Sequence, residues 1–205
     1  MGLGNPGREH LNTRHNVGFE VAKALVERWG LGRPRERFRG LLSEGRIAGP
    51  SGSPASARPR VAVLSPQTYM NESGRSVGPA RGSFKLPLER VLVIHDELDL
   101  PFGDVRSRTG GGLAGHNGLR SLKRELGGED FVRVRVGIGR PDSTDPEIVS
   151  AWVLGRFRED EHAVREVIAR AGDEVERIVL DGDGDGDGDG DGDARGHGGR
   201  GGSAA

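Results

Sequence analysis

His15 stands in TRHNVG at 13 to 18, in a loop just ahead of the first helical apolar pattern. Imidazole is the side chain whose ordinary pKa lies nearest neutrality, so here it is either a general base or a loop histidine of no consequence. HDELD at 95 to 99 follows RVLVI, a run continuous enough to be a buried strand. Metal ligation is open to it, and so is a site at the carboxyl end of that strand, the edge where α/β sites form. EDEH at 159 to 162 carries the same residue types but opens a helix, where acidic side chains complement the macrodipole. Without cysteine, thiol nucleophiles and thiolate metal sites are excluded.

The remaining candidates are glycine loops and arginines. GGGLAGHNG at 110 to 118 runs into a helix bearing Leu119, Leu122 and Leu126; it lacks the GK[ST] ending of a Walker loop, and Asn117 falls where an N-cap belongs. Arg120, Lys123 and Arg124 share the face opposite the leucines, which is either a solvated face or one that meets phosphates. Alternation in FVRVRVGI at 131 to 138 puts Arg133 and Arg135 on one side, and Arg106 and Arg108 share the same spacing in VRSR. Two such pairs on neighbouring elements would clamp a phosphate. Two further motif matches lack their context. GLGNPG at 2 to 7 fits GxGxxG, but only Met1 precedes it and no helical spacing follows it directly. GRSVG at 74 to 78 fits the nucleophile elbow GxSxG with no strand before it, and reads as a coincidence inside a helix.

Positioning these groups takes alternating strands and helices. Apolar spacing predicts helices over 16 to 29, roughly 70 to 83, 117 to 126 and 160 to 180, the last with a stripe of Val164, Val167, Ile168, Ala171, Val175 and Ile178. VAVL at 61 to 64 and RVLVI at 90 to 94 read as buried parallel strands, and 131 to 138 as an alternating one. The expected fold is α/β, a three-layer sandwich with a mixed, mostly parallel twisted sheet flanked by helices. One domain ends near Leu180, and a surface loop is expected at 49 to 59. Asp181 to Asp193 alternate Asp and Gly without an apolar residue, ARGHGGRGGSAA follows, and residues 181 to 205 read as a disordered tail. That tail holds seven aspartates and two arginines, leaving 28 basic and 24 acidic groups on the rest, a mildly basic body suited to a polyanionic partner. With no long apolar run and no signal-peptide pattern, a soluble cytoplasmic protein is expected, without membrane partners.

Together GLGNPG, TRHNVGF, SPQTYMNESG, HDELDLPFGDVRSRTGGGLAGHNGLRSL and FVRVRVGIGRP, in this order and spacing, resemble bacterial peptidyl-tRNA hydrolase from Gly2 to about Leu180. The resemblance implies a monomeric enzyme that needs no cofactor and no metal. Its substrate is the ester joining a peptide to the terminal ribose of tRNA. His15 matches the catalytic base, Asp96 the carboxylate that supports it, and Asn5 the amide that tells blocked from free amino groups. Asn71 and Asn117 match donors to an oxyanion or to peptide carbonyls, with His116 in the same substrate-binding set. Tyr69 and Met70 match the wall for the terminal ribose and adenine, and Arg108 and Arg135 the basic positions that take the 5′-phosphate. His10 departs from the family's usual tyrosine at a position that contacts the tRNA end. The family also carries apolar residues ahead of GLGNPG that build a central strand. Only Met1 stands there here, so either translation starts further upstream or that strand is shortened. An inactive RNA-binding module on the same fold is the alternative; the joint presence of His15, Asp96, Asn5, Asn71 and Asn117 favours the enzyme.

Overall fold

The computed structural model describes residues 1–49 and 58–181. Most of the expected surface loop at 49 to 59 and the tail beyond Asp181 lie outside the described residues. In chain order the elements are α1 (Val17–Arg28), β1 (Arg35–Arg37), β2 (Gly40–Arg46), β3 (Arg60–Pro66), α2 (Gly74–Phe84), β4 (Leu92–Glu97), β5 (Val105–Thr109), α3 (Asn117–Leu126), β6 (Val132–Gly137), α4 (Pro146–Leu154) and α5 (Glu161–Asp181).

Apolar side chains at successive strand positions separate into two cores, which is what a strand buried on both faces requires. On β4, Val93 joins Leu64, Val77, Leu119 and Phe131 beneath α2 and α3, whereas Ile94 joins Val21, Val134, Val167 and Val175 beneath α1 and α5. Helices therefore cover both faces, and the expected three-layer α/β architecture with mixed strands is present. The strand directions differ from the expected parallel majority. β6 lies between β4, to which it is parallel, and β5, to which it is antiparallel, while β1, β2 and β3 form an antiparallel meander. VAVL, expected to be parallel, belongs to that meander. Apolar continuity reports burial on both faces and says nothing of direction.

Met1–Leu3 joins the two three-stranded sheets. The Ile94 amide donates to the Met1 carbonyl (2.8 Å), the Leu3 amide to the Ile94 carbonyl (2.9 Å) and the Gly2 amide to Leu64 on β3 (3.2 Å). Met1–Leu3 stands where the central strand is expected, with one parallel bridge from Gly2 to Ile94. Its first glycine is there for contact: a Cβ on Gly2 would lie 2.0 Å from the Gly18 carbonyl oxygen of α1. What resembled a nucleotide turn is a close crossing of backbone and helix, and it delivers Asn5 to the carboxyl edge of β4.

Candidate active site

Three helices begin at that edge. α1 follows the 3-10 turn Arg14–Asn16, α2 follows the 3-10 turn Met70–Glu72, and α3 starts at Asn117. Their amino termini bring positive dipole ends to one place, a setting that favours developing negative charge. They surround a cleft of about 710 Å³ whose lining includes Asn5, His15, Met70, Asp96, His116 and Asn117.

Asp96 is its electrostatic centre. The residue is 3% exposed and holds two histidines: His15 Nδ1 lies 2.8 and 2.9 Å from its two oxygens, and His116 Nε2 lies 3.1 Å from Oδ1. Burial alone would raise the Asp96 pKa, but the charges and hydrogen bonds of His15 and His116 outweigh it and hold the carboxyl well below its usual range. An ionised carboxylate only accepts, so the His15 ring proton sits on Nδ1 and the Nε2 lone pair is left basic. Burial opposes the charged form of His15 as well. The Asp96 charge and hydrogen bond more than offset that, and the His15 pKa is raised above its ordinary 6.5.

His116 holds a different tautomer. Its Nδ1 accepts from the amides of Gly118 (3.1 Å) and Leu119 (3.4 Å), capping α3, so its proton is on Nε2 and points at Asp96. The N-cap is therefore His116 and not Asn117, because imidazole Nδ1 serves as the cap acceptor. Asn117, displaced into the first helical position, lines the cleft instead. This also bears on metal binding. One ligand atom each from His15, Asp96 and His116 lie within 4.8 Å of one another, yet the His116 nitrogen facing the group carries a proton that the cap fixes there. The arrangement suits a hydrogen-bonded triad better than a coordination shell.

Amides build the adjoining wall. Asn16 receives the Asn5 amide on Oδ1 (2.8 Å) and donates Nδ2 to the Asn5 carbonyl (2.9 Å), clamping Asn5 on both sides. Asn5 Oδ1 accepts the Met70 amide (2.8 Å), which fixes its flip and leaves Nδ2 as a donor. Met70 is buried, whereas Tyr69, 63% exposed, and Asn71 form the rim. His95, buried beside Asp96, donates Nδ1 to the Asp96 carbonyl (2.7 Å), and burial followed by the nearby His116 pushes its pKa down to about 3.

Seven expected site residues, Asn5, Tyr69, Met70, Asn71, Asp96, His116 and Asn117, thus share one cleft with His15. His10 does not line it; that side chain lies 3.9 Å from Glu9 Oε1 in a separate 3-10 turn. Arg108 and Arg135 also stand outside, on the β5–β6 ladder, where Arg108 faces Arg133 and Arg106 faces Arg135. All four arginines share one face of the sheet. Arg133, 1% exposed, donates to the Gly112 carbonyl (2.7 Å) and so holds the glycine loop; burial, then Arg108 and Arg135, lower its pKa to about 10. On α3 only Arg120 of the expected basic face lines the cleft, since Lys123 pairs with Glu129 and Arg124 with Glu125. Ser76 of GRSVG is buried within α2, which disposes of the nucleophile-elbow match. Sequence reasoning passed over Asn16, Arg14 and His95; for each, adjacency to His15 or Asp96 was the available signal.

Fold and site together fit a hydrolase of the α/β class. A family model described as Peptidyl-tRNA hydrolase matches residues 1–186, and the chain belongs to that family. It is similar to the peptidyl-tRNA hydrolases of Geobacillus kaustophilus (44% identical, covering 87% of this chain and 91% of that one) and Geobacter sulfurreducens (52%, covering 80% and 78%). A crystal structure of peptidyl-tRNA hydrolase from Acinetobacter baumannii superposes with a TM-score of 0.77 at 38% identity, covering 88% of this chain and 87% of that one.

Proposed function

We propose that the protein hydrolyses the ester between an N-blocked peptide and the 3′-terminal ribose of tRNA, with His15 as general base. One observation carries this reading: the paired His15 Nδ1–Asp96 contacts leave Nε2 as a basic lone pair in the cleft. Water gives a proton to Nε2 as its oxygen attacks the ester carbonyl. Asp96 stabilises the imidazolium, and the tetrahedral intermediate expels the ribose oxygen, which takes the proton back from His15. Asn71 and Asn117 supply neutral donors to the oxyanion. Such a step uses no metal or cofactor.

The Asn5 geometry supports the preference for blocked substrates. Its Nδ2 can donate to the carbonyl that an N-acyl group carries. A free aminoacyl ester lacks that carbonyl and offers an ammonium, a second donor, in its place. Tyr69 and Met70 would bound the terminal nucleoside, and the face of Arg106, Arg108, Arg133 and Arg135, whose mutual repulsion an anion would relieve, would take the 5′-phosphate through Arg108 and Arg135. The His10 contact to the tRNA end has no support from its place outside the cleft.

No helix among the described residues is long and apolar enough to cross a membrane. A monomer acting in the cytoplasm, where translation supplies the substrate, fits that and a site assembled within one chain. The test is release of free tRNA from N-acetyl-aminoacyl-tRNA in the presence of chelator. Release is expected there and not from the unblocked aminoacyl-tRNA; no release from either, or release only when a metal is added, contradicts the proposal.

A further inference from the structure

The residue before His15 is a buried arginine whose contacts lead away from the cleft. Arg14, 2% exposed, donates Nη1 to the Arg156 carbonyl (2.8 Å) and Nη2 to Glu159 (3.3 Å). The face of its guanidinium stacks 3.9 Å over the Trp152 ring. Its backbone amide donates to the Gly155 carbonyl (2.9 Å), and Thr13 forms an antiparallel bridge with Arg156. The turn that carries His15 and the carboxyl end of α4 are thereby one unit.

α4 is an unusual wall. Its sequence PEIVSAWVL is strongly apolar, yet none of its nine residues is buried. Val149, Val153 and Leu154 face the cleft, and on the other side a second cavity of about 410 Å³ is bounded by Arg14, Ile148 and Trp152. α4 meets the core through the partly buried Trp152 and Val153 and otherwise has open space on both sides, so the polar and stacking contacts at its carboxyl end carry load to their partners. Those contacts are the Arg14 stack together with Trp152 Nε1 donating to Gly139 (2.9 Å). Only a planar fork satisfies two acceptors in different segments while its face covers an indole; lysine cannot do both.

We propose that Arg14 is a positioning residue for the hydrolysis proposed above, transmitting occupation of the α4 wall to the ring of His15. An apolar side chain at the peptide's carboxyl-terminal residue lodges on Val149, Val153 and Leu154, and Arg14 carries the resulting set of α4 to the turn that seats His15 on Asp96. The coupling acts on kcat, because it concerns the geometry of the base and not the adhesion of the substrate.

The experiment compares kcat for N-acetyl-leucyl-tRNA and N-acetyl-glycyl-tRNA in wild type and Arg14→Lys, with the ring titration of His15 followed by NMR in both proteins without substrate. Wild type turns over the leucyl substrate faster. Arg14→Lys loses about tenfold in kcat on the leucyl substrate and about twofold on the glycyl one, with KM little changed. The His15 midpoint also falls toward its ordinary value as the ring loosens from Asp96. Equal losses on both substrates, or a His15 titration indistinguishable from wild type, overturn the proposal. The titration needs no turnover, so it decides about Arg14 even if wild type hydrolyses neither ester, the result that would instead sink the proposed activity. If Arg14→Lys does not fold, Trp152→Leu, which removes the stacking face, must reproduce the same selective loss and the same shift.

Discussion

The two flanks of the cleft are built to opposite rules. On one flank Asn5, Asn16, Met70 and Asp96 are buried, each tied by hydrogen bonds to its neighbours, and Asp96 keeps its charge only because two histidines compensate the loss of water. On the other, α4 offers apolar side chains and buries none of them. The difference separates two tasks. A base must be held within a fraction of an ångström of its working place, which demands satisfied, dry contacts. A surface that accepts peptides of many sequences needs apolar area that adapts, and tight packing would forbid it.

Breaking the rigid flank should therefore cost most. His15→Ala is expected to reduce kcat by at least about 10²-fold with tRNA affinity nearly unchanged, read by single-turnover release and filter binding. Survival within a few-fold would move the base elsewhere. Asp96→Asn keeps the shape but loses the charge; the fold should hold while turnover drops and the His15 midpoint descends, and full activity at every pH would refute the pairing.

Outside both flanks, the arginine face is tested by the phosphate itself. Removing the 5′-phosphate from the substrate should lower wild-type kcat/KM by about tenfold, and the Arg108→Ala/Arg135→Ala variant should lose little further. Additive penalties would show that these arginines do not read that group. Asn16→Ala, which cuts both bonds to Asn5, should lower unfolding stability by about 2 kcal/mol in denaturant titration and slow turnover as Asn5 drifts. The smallest effect belongs to the loose flank: Ile148→Ser, on the side of α4 away from the cleft, should leave stability within about 0.5 kcal/mol of wild type, since the residue is half exposed. A loss several times larger would mean α4 packs as a core helix does.

Much of this was legible in the chain. The long stripe of α5 and the leucines of α3 gave their helices correctly, because burial on one face imposes a period of 3.6. α4 is less legible: apart from Glu147 and Ser150, PEIVSAWVL is apolar nearly all round, so no one-sided stripe marks it. The β1–β2 hairpin was hidden by RERFRG, a charged run whose two-residue turn places Phe38 and Arg39 at positive φ (55° and 53°) where Gly or Asn would have announced it. The site residues stood out where type and spacing were enough, as with His15 and HDELD. Arg14 did not, since its partners lie more than 140 residues along the chain and its role exists only in the folded state.

The His15–Asp96 pair makes opposite demands on pH. Its contribution to stability is complete below the ordinary histidine pKa of 6.5 and is lost as pH rises through the raised value, while the base becomes active over that same interval. The depressed Asp96 adds stability above the ordinary carboxylate pKa, about 3.9, which is lost only as pH falls through its own lower value. The central claim is therefore tested most directly by measuring kcat/KM against pH beside the NMR titration of His15 in the same buffer. Both should rise with one shared midpoint above 6.5. A rate that is flat through the His15 titration, or that falls as the ring loses its proton, would contradict a neutral imidazole acting as the base.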